Sequence, residues 1–418
     1  DFFRDFQENI TTTEEGRYEV GVPWIPGVTL SNDNIEPSRK RLDNICKRIH
    51  RDRDLKEEYE KIIVNQLDEG VVERLPEQPT GQRIFYMPHK PVVKQNATTT
   101  KLRMVFDASM KPHPMATSIN DCMFTGPPLQ PLLWDIMIRA RVASDILLAD
   151  IQKAFLQVGI KSEDRDAFRF LFNINGKEEH LRFTRVPFGA EASPFMLGAT
   201  MQYHLDQQPA EFETTVEALR ENTYVDNVME TGSDLSELKK FKKEATEILE
   251  AGMFPLHKWE SNVRALESEG MPNPSKILGL TWDKKEDELL IEMPDYPEGV
   301  PVTKRSIISH LGKMHDPLGI VSPTMAEGKR VFREVCDQNK SWNSEVSEPL
   351  RSDWLRWTRQ LRSVKVPRAV AKKLKSINAV HLHIFADASN LACSCVTVAV
   401  IEQKTGTVKG LLASKSRI

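Results

Sequence analysis

The sequence predicts an α+β fold, and three observations carry that reading. Two-residue turn signals separate short apolar runs. Asn175-Gly176 stands between 168–174 and 180–186, and Asp226-Asn227 stands between 223–225 and 228–231, the pattern of tight antiparallel hairpins. Helical stripes lie elsewhere: Leu42, Ile45, Cys46 and Ile49 follow i, i+3, i+4, i+7 spacing, and Leu238, Phe241, Ala245, Ile248 and Leu249 form a second stripe. Finally, Ile146-Leu147-Leu148-Ala149 is an apolar run ending in Asp150, which reads as a buried strand with an acid at its end.

Taken in order, residues 1–37 are punctuated by Pro23, Pro26 and Gly27 around Trp24 and read as irregular chain packed onto something else. Ser38 is expected to cap the first striped helix, and a second helix is expected over 55–67, stopped by Gly70. Short strands are expected over 81–88 and 101–106, with breaks at Pro76, Pro79 and Pro91. Pro127-Pro128 is read as opening a helical stretch through Ile136 and Ile138, and 192–205 reads as helical. Gly252 ends the second stripe. Strands follow over 277–282 and 288–293, joined by a charged turn at 283–287, and Pro294, Pro297 and Pro301 form a linker. Helices are expected over 306–314 and 327–337 and around Trp354. The chain then turns β-rich at 381–385, 392–401 and 410–413. There is no internal repeat or low-complexity tract.

Composition bounds the function. The chain has 418 residues, is 40% hydrophobic and 28% charged, and carries a formal net charge of −3, so an ordinary globular protein with a sizeable core is expected. No stretch approaches the roughly 20 apolar residues of a membrane span, and there is no signal-peptide pattern. Asp1 rather than Met opens the chain, as in a segment of something longer. Cys46, Cys122, Cys336, Cys393 and Cys395 are odd in number and irregularly spaced, which argues for a reducing compartment. Cys393 and Cys395 share a strand face, but two ligands without a second pair read better as buried thiols than as a zinc site. Basic residues gather at 39–53 and at Lys90, Lys94, Lys101 and Arg103. The first cluster reads most simply as a solvated helix face.

Two acids stand out by context. Asp150 ends a buried strand and Asp226 sits at a hairpin tip, so neighbouring strands of one sheet could bring both carboxylates to one edge. Converging carboxylates repel, and a divalent cation bound through oxygen relieves that repulsion. Phosphoryl transfer uses such a pair to hold two Mg²⁺ ions. By itself an Asp at a strand end is ordinarily a turn former.

A longer pattern sharpens the reading. The segments KLRMVFDAS (101–109), LADIQKAFLQ (148–157), VPFGAEASPF (186–195) and YVDNVMETG (224–232) resemble successive reverse transcriptase blocks. Together with SINDCMFTGPPLQ, HKWESN, KILGLTWD, HDPLGIVSP and FADASNLA, they resemble the polyproteins of BEL/Pao-type LTR retrotransposons in order and spacing. The resemblance implies a right-hand polymerase with fingers, palm and thumb, an antiparallel palm sheet and a following truncated RNase H-like unit. It divides the chain into an N-terminal extension (1–75), fingers and palm (76–295), thumb and connection (296–375) and a partial RNase H-like domain (376–418).

The same resemblance implies roles. Asp150 and Asp226 would be the catalytic carboxylates holding Mg²⁺, with Mn²⁺ as an alternative. Phe155, five residues after Asp150, would be the aromatic gate that clashes with a ribose 2′-OH. Lys101 and Arg103, alternating with Leu102 and Met104 on one strand, would meet the incoming triphosphate. Phe188-Gly189 would support the nucleotide, with Gly189 permitting close backbone approach and Ser193-Pro194 opening the next helix. His257-Lys258-Trp259 and Leu278-Gly279 would follow as the primer-gripping part of the palm and its link to the thumb. Asp387 resembles the first RNase H carboxylate. The further acids that chemistry needs lie on later elements, so Asp387 is expected here as a structural remnant. His381 and His383 complete no zinc site, and Trp342, Trp354 and Trp357 are expected to pack. Partners implied are a primed RNA or DNA template, dNTPs and capsid, protease and integrase segments. No membrane is implied, and the location is cytoplasmic, within virus-like particles.

One position departs from the pattern. The family's hairpin tip reads Tyr-Val-Asp-Asp, whereas here the last residue is Asn227. Asn keeps an oxygen but removes a negative charge beside a site meant for dications. The sequence therefore supports two readings, an RNA-directed DNA polymerase and a catalytically impaired nucleic-acid-binding relic, with a protein-interaction scaffold as a weaker third.

Overall fold

Local turn chemistry and aromatic burial build the first half of the chain. A computed structural model describes residues 2–49, 52–93, 102–370 and 377–418. They fall into two units: 1–130 with 151–216 and 245–256, and 131–150 with 217–244 and 257–418. The architecture is mixed α/β with several small, mainly antiparallel sheets.

In the first unit, Arg169–Ile174 and Lys177–Phe183 form the expected hairpin. Its turn residues Asn175 (φ +52°) and Gly176 (φ +82°) both take the left-handed conformation a two-residue hairpin demands. Val72–Arg74 adds a third strand. Phe85, Phe168, Phe170, Phe172 and Phe183 are almost fully buried around this sheet. The helix Ile35–Ile49 matches the first stripe, and Arg53–Asp68 stands where a helix was expected over 55–67. Ser38 is not the cap, however. It lies one turn inside, and its hydroxyl donates to the Tyr86 carbonyl at 2.8 Å, because a buried hydroxyl needs a partner. The strand expected over 81–88 instead begins at His89 and runs to Val93 against Leu102–Phe106, with Pro91 inside this two-stranded ribbon. Pro127-Pro128 precede the next helix, Leu133–Val142, rather than opening it.

The N-terminal stretch is tied down by specific contacts. Tyr18–Val20 pairs in parallel with Gly159–Ile160. Trp24 donates its indole N–H to Asp164 at 2.7 Å, with the Arg83 guanidinium 4.4 Å above its ring. The first basic cluster is partly neutralised, since Arg39 pairs with Glu36 and Glu178 and Arg41 with Asp107.

His89 is the buried polar centre of the aromatic core. Its Nε2 donates to the Leu171 carbonyl (2.8 Å) and its Nδ1 accepts from the Tyr59 hydroxyl (2.6 Å). Burial holds its pKa down to about 4, with the Leu171 bond opposing and Arg41 adding to the burial. The unfolded chain thus takes up a proton near pH 6.5 while the folded chain does not. Stability is untouched by this ring above that pH and is lost as pH falls from 6.5 towards 4. Between pH 7 and pH 5 the loss is about 2 kcal/mol. Urea unfolding at the two pH values checks this, because His89→Gln should flatten the dependence by that amount. An unchanged slope overturns the assignment.

In the second unit, a four-stranded sheet runs in the order Thr223–Tyr224, Asn227–Gly232, Asp145–Ile151, Leu256–Ser261. Ile136, Met137 and Ala140 of the Leu133–Val142 helix pack with Ile146, Met229, Trp282 and Leu289. A second antiparallel sheet follows. The single strand expected over 277–282 is two, Ser275–Ile277 and Leu280–Asp283, split by a turn at Leu278 (φ +45°) and Gly279 (φ +96°). A Cβ on Gly279 would meet the His315 ring, whose Nε2 donates to the Leu278 carbonyl at 3.0 Å. The helices Lys304–Leu311, Ser322–Asp337 and Glu348–Gln360 enclose Trp354 and Trp357, whereas Trp342 is exposed rather than packed. It lies on the short stretch between two helices, where no apolar surface covers it.

Arg368 joins these layers. It is fully buried, its fork gripping Asp287 at 2.7 Å through both Nε and Nη2. The same guanidinium donates to the carbonyls of Ala140, Ala143 and Ser144 at the end of the Leu133–Val142 helix. The last sheet, Ile377–Ala388, Cys393–Gln403 and Gly406–Arg417, is antiparallel throughout.

Candidate active site

The carboxylate site is a product of strand register. Along Asp145–Ile151, Ile146, Leu148 and Asp150 alternate with Leu147 and Ala149, so Asp150 shares a face with Ile146 and Leu148. The antiparallel neighbour runs from Gly232 opposite Asp145 to Asn227 opposite Asp150. Its hairpin closes through Tyr224 paired with Asn227. The turn residues are therefore Val225 and Asp226, one position earlier than the sequence suggested, and Asn227 belongs to the ladder. Val225 takes φ +59°, a conformation that costs a β-branched residue about 1–3 kcal/mol. That strain is held exactly where the turn must present Asp226 beside Asp150.

The Asp150 charge is felt at Asp226. Burial first, and the Asp150 carboxylate second, push the Asp226 carboxyl up from its ordinary pKa. Asn227 Nδ2 donates to Asp226 Oδ1 at 2.7 Å, and this bond, with the Lys258 charge, acts in the opposite direction. Lys258 Nζ lies 3.6 Å from Asp150 Oδ2, in a pair that is about 40% exposed. Lys258 also has positive φ (+55°), as does Leu278. Both line a small hollow with Asp150, Asn227 and Met229. The expected triplet His257-Lys258-Trp259 therefore contributes its lysine directly to the carboxylates.

These residues fit a divalent cation held through oxygen. Among the described residues no group of three or more His, Cys, Asp or Glu side chains is placed to hold a metal. Mg²⁺, however, is commonly held by one or two carboxylates, with water and substrate phosphate completing its shell. The carboxylates of Asp150 and Asp226, the second with its pKa raised by burial first and by the Asp150 charge second, are a donor set of that kind.

A second group of expected residues lies in the first unit. Arg103 is exposed on Leu102–Phe106, while Leu102 and Phe106 on the alternate face are buried. Lys101 lies outside the described residues. Phe155 sits half-buried in the 3₁₀ turn Ala154–Gln157, and its ring meets that of Phe188 edge-on, with centroids 4.9 Å apart at 71°. Gly189 has φ +102°, and a Cβ there would lie 2.8 Å from the Phe106 carbonyl oxygen. Only glycine lets the loop pass so close to that strand. Ser193 opens the helix Ser193–Asp206, and its hydroxyl closes the loop by donating to the Pro187 carbonyl at 2.7 Å.

Two comparisons cover most of the chain. Residues 92–280 match the family model described as reverse transcriptase (RNA-dependent DNA polymerase). Residues 303–418 match the model described as Pao retrotransposon-like RNaseH-like domain. Together the two matches fit a Pao-type reverse transcriptase segment followed by an RNase H-like segment. No curated protein matches the chain. The matched reverse transcriptase and RNase H-like domains imply a nucleic-acid template and a polyprotein context.

In the RNase H-like part of the Pao-type chain, Asp387 is exposed near the end of Ile377–Ala388, its Oδ1 accepting from the Ala388 N–H at 2.9 Å. It belongs to a different sheet from Asp150 and Asp226. Cys393 is exposed and Cys395 half-exposed, so the expectation of buried thiols fails there. They lie where the sheet face is uncovered. His381 pairs with Glu402 at 3.4 Å. Among the described residues no helix is long and apolar enough to cross a membrane.

Asn120 was missed from sequence. Nearly buried in the SINDC segment, it accepts from the Glu191 N–H (3.1 Å) and donates to Ser109 Oγ (2.9 Å) and the Gly189 carbonyl (3.5 Å). It thereby ties the Phe188-Gly189 loop in place. The only sequence signal was its position inside a family-like block.

Proposed function

We propose that this reverse transcriptase extends a primer on an RNA or DNA template by two-metal phosphoryl transfer from a dNTP, with Asp150 and Asp226 as the metal-holding carboxylates. The observation that carries this reading is that Asp226 stands in the turn next to Asn227, the ladder partner of Asp150, where the Asp150 charge acts on it alongside burial. Mg²⁺, or Mn²⁺ in its place, supplies when bound the neutralisation of charge on the attacking and leaving oxygens. The chain's own residues do the rest. Asp150 and Asp226 orient the acceptor end, and the Val225 turn keeps Asp226 forward. Arg103, with Lys101, meets the triphosphate as a charge-assisted donor. Phe155 rejects the ribose 2′-OH, and the Phe188-Gly189 loop supports the nucleotide. The right-hand division into fingers, palm and thumb, with the boundaries given above, belongs to the same proposal, as does a cytoplasmic location within virus-like particles. Binding should rest on phosphates and weaken steeply with salt.

One observation favours the second reading, an impaired relic. The Asn227 amide occupies Asp226 Oδ1, so this tip offers one carboxylate fewer and partly satisfies the remaining one internally. Primer extension separates the readings. The natural chain is expected to extend slowly and Asn227→Asp to extend at least about tenfold faster, the effect of restoring some 1.4 kcal/mol or more of charge stabilisation. If both chains are inert while duplex binding persists, the enzyme reading fails.

A further inference from the structure

Phe188 touches the expected sugar-sensing ring rather than standing apart from it, and the loop beneath it is held from several directions. Gly189 presses its backbone on the Phe106 carbonyl, Ser193 Oγ ties back to Pro187, and Asn120 bonds both Gly189 and Glu191. Phe188 itself is 49% exposed, so its ring is not held there by core burial. It meets the Phe155 ring edge-on at 4.9 Å. Phe155 is less anchored than its neighbours, because Ala154 and Leu156 are buried while its own ring is only half so. A ring that discriminates by steric clash must not swing away when an unwanted hydroxyl arrives. An edge-to-face neighbour on a rigid loop restrains that rotation.

We propose that Phe188 is a positioning residue for sugar discrimination, holding Phe155 against a ribonucleotide's 2′-hydroxyl through their edge-to-face contact. This rests on the reverse transcriptase reading with Phe155 as gate. Asn120, Gly189 and Ser193 supply the fixed loop on which the brace stands. The brace acts through Phe155, so its effect should vanish when Phe155 is gone.

The test needs no chemistry. The 418-residue chain is mixed with a template annealed to a dideoxy-terminated primer, and complex formation is followed by gel retention against dNTP and against the matching rNTP. The quantity read is the ratio of the two half-saturating concentrations. Phe188→Ala should loosen this ratio about three- to tenfold, the scale of one aromatic pair, and Phe188→Tyr should restore it. In a Phe155→Ala background, already loosened, Phe188→Ala should add nothing. The proposal is overturned if Phe188→Ala leaves the ratio at its natural value. It is equally overturned if the loosening persists undiminished without Phe155, which would mean that Phe188 discriminates the sugar by a route other than Phe155. If Phe155→Ala alone leaves the ratio unchanged, or no dNTP-dependent complex forms with the natural chain, the gate reading falls and the brace falls with it.

Discussion

Asp150→Asn is expected to abolish primer extension, by at least about 10³-fold, while the chain stays folded and still binds a primed template. The size follows from losing one of two carboxylates that hold the metal, a deficit of about 4 kcal/mol in transition-state stabilisation. Folding should survive because Asp150 is exposed enough for its Lys258 pair to be worth little to stability, and Asn preserves the shape opposite Asn227 in the ladder. Single-turnover extension with matched template binding checks it. Residual extension within tenfold of the natural chain would remove Asp150 from the reaction. Asp387→Asn makes a useful comparison, since that acid lies on a separate sheet and should leave polymerisation alone.

Arg368→Met is expected to destabilise the second unit by about 3–5 kcal/mol, the cost of breaking a buried, hydrogen-bonded ion pair from one side. The substitution leaves the Asp287 carboxylate, only 14% exposed, with the Trp282 indole at 2.9 Å and the Asn262 amide at 3.5 Å as side-chain donors. It also strips donors from the Ala140, Ala143 and Ser144 carbonyls at a helix end. Denaturant unfolding followed through the buried Trp282 and Trp354 reads this loss directly. Arg53→Met, which breaks an exposed helical pair with Glu57, should change little. A loss at Arg368 no larger than at Arg53 would show that the buried network carries no weight.

Much of the secondary structure was legible because its causes are local. Asn175-Gly176 announced a hairpin since left-handed φ at two successive residues is a property of those residues. The stripe from Leu238 to Leu249 announced a helix since one face had to be buried. The misreadings share a physical cause. Ser38 resembled a cap, but its hydroxyl was drawn to the Tyr86 carbonyl, which lies far away in sequence. Leu278-Gly279 was read through as strand because Leu tolerates φ +45° only where something else holds the turn, here the His315 ring and its bond to the Leu278 carbonyl.

The candidate site divides along the same line. Context along the chain singled out Asp150 and Asp226, whereas Phe155 and the Phe188-Gly189 pair came forward only through the resemblance to reverse transcriptase blocks. Asn120 could not be recognised in either way, and the resemblance placed Lys258 with the primer rather than beside Asp150, since an amide or an ammonium acquires its role only from the carbonyl or carboxylate it meets.

The amino-acid order alone determined which acids could serve, that one tip position had become Asn227, and where the chain must turn. Tertiary structure decided that Asn227 rather than Asp226 enters the ladder opposite Asp150, that its amide bonds the neighbouring carboxyl, and that Phe155 leans on Phe188. Register and ring contact are relations between distant segments, set by the burial of whole faces at once, and no single stretch of sequence contains them.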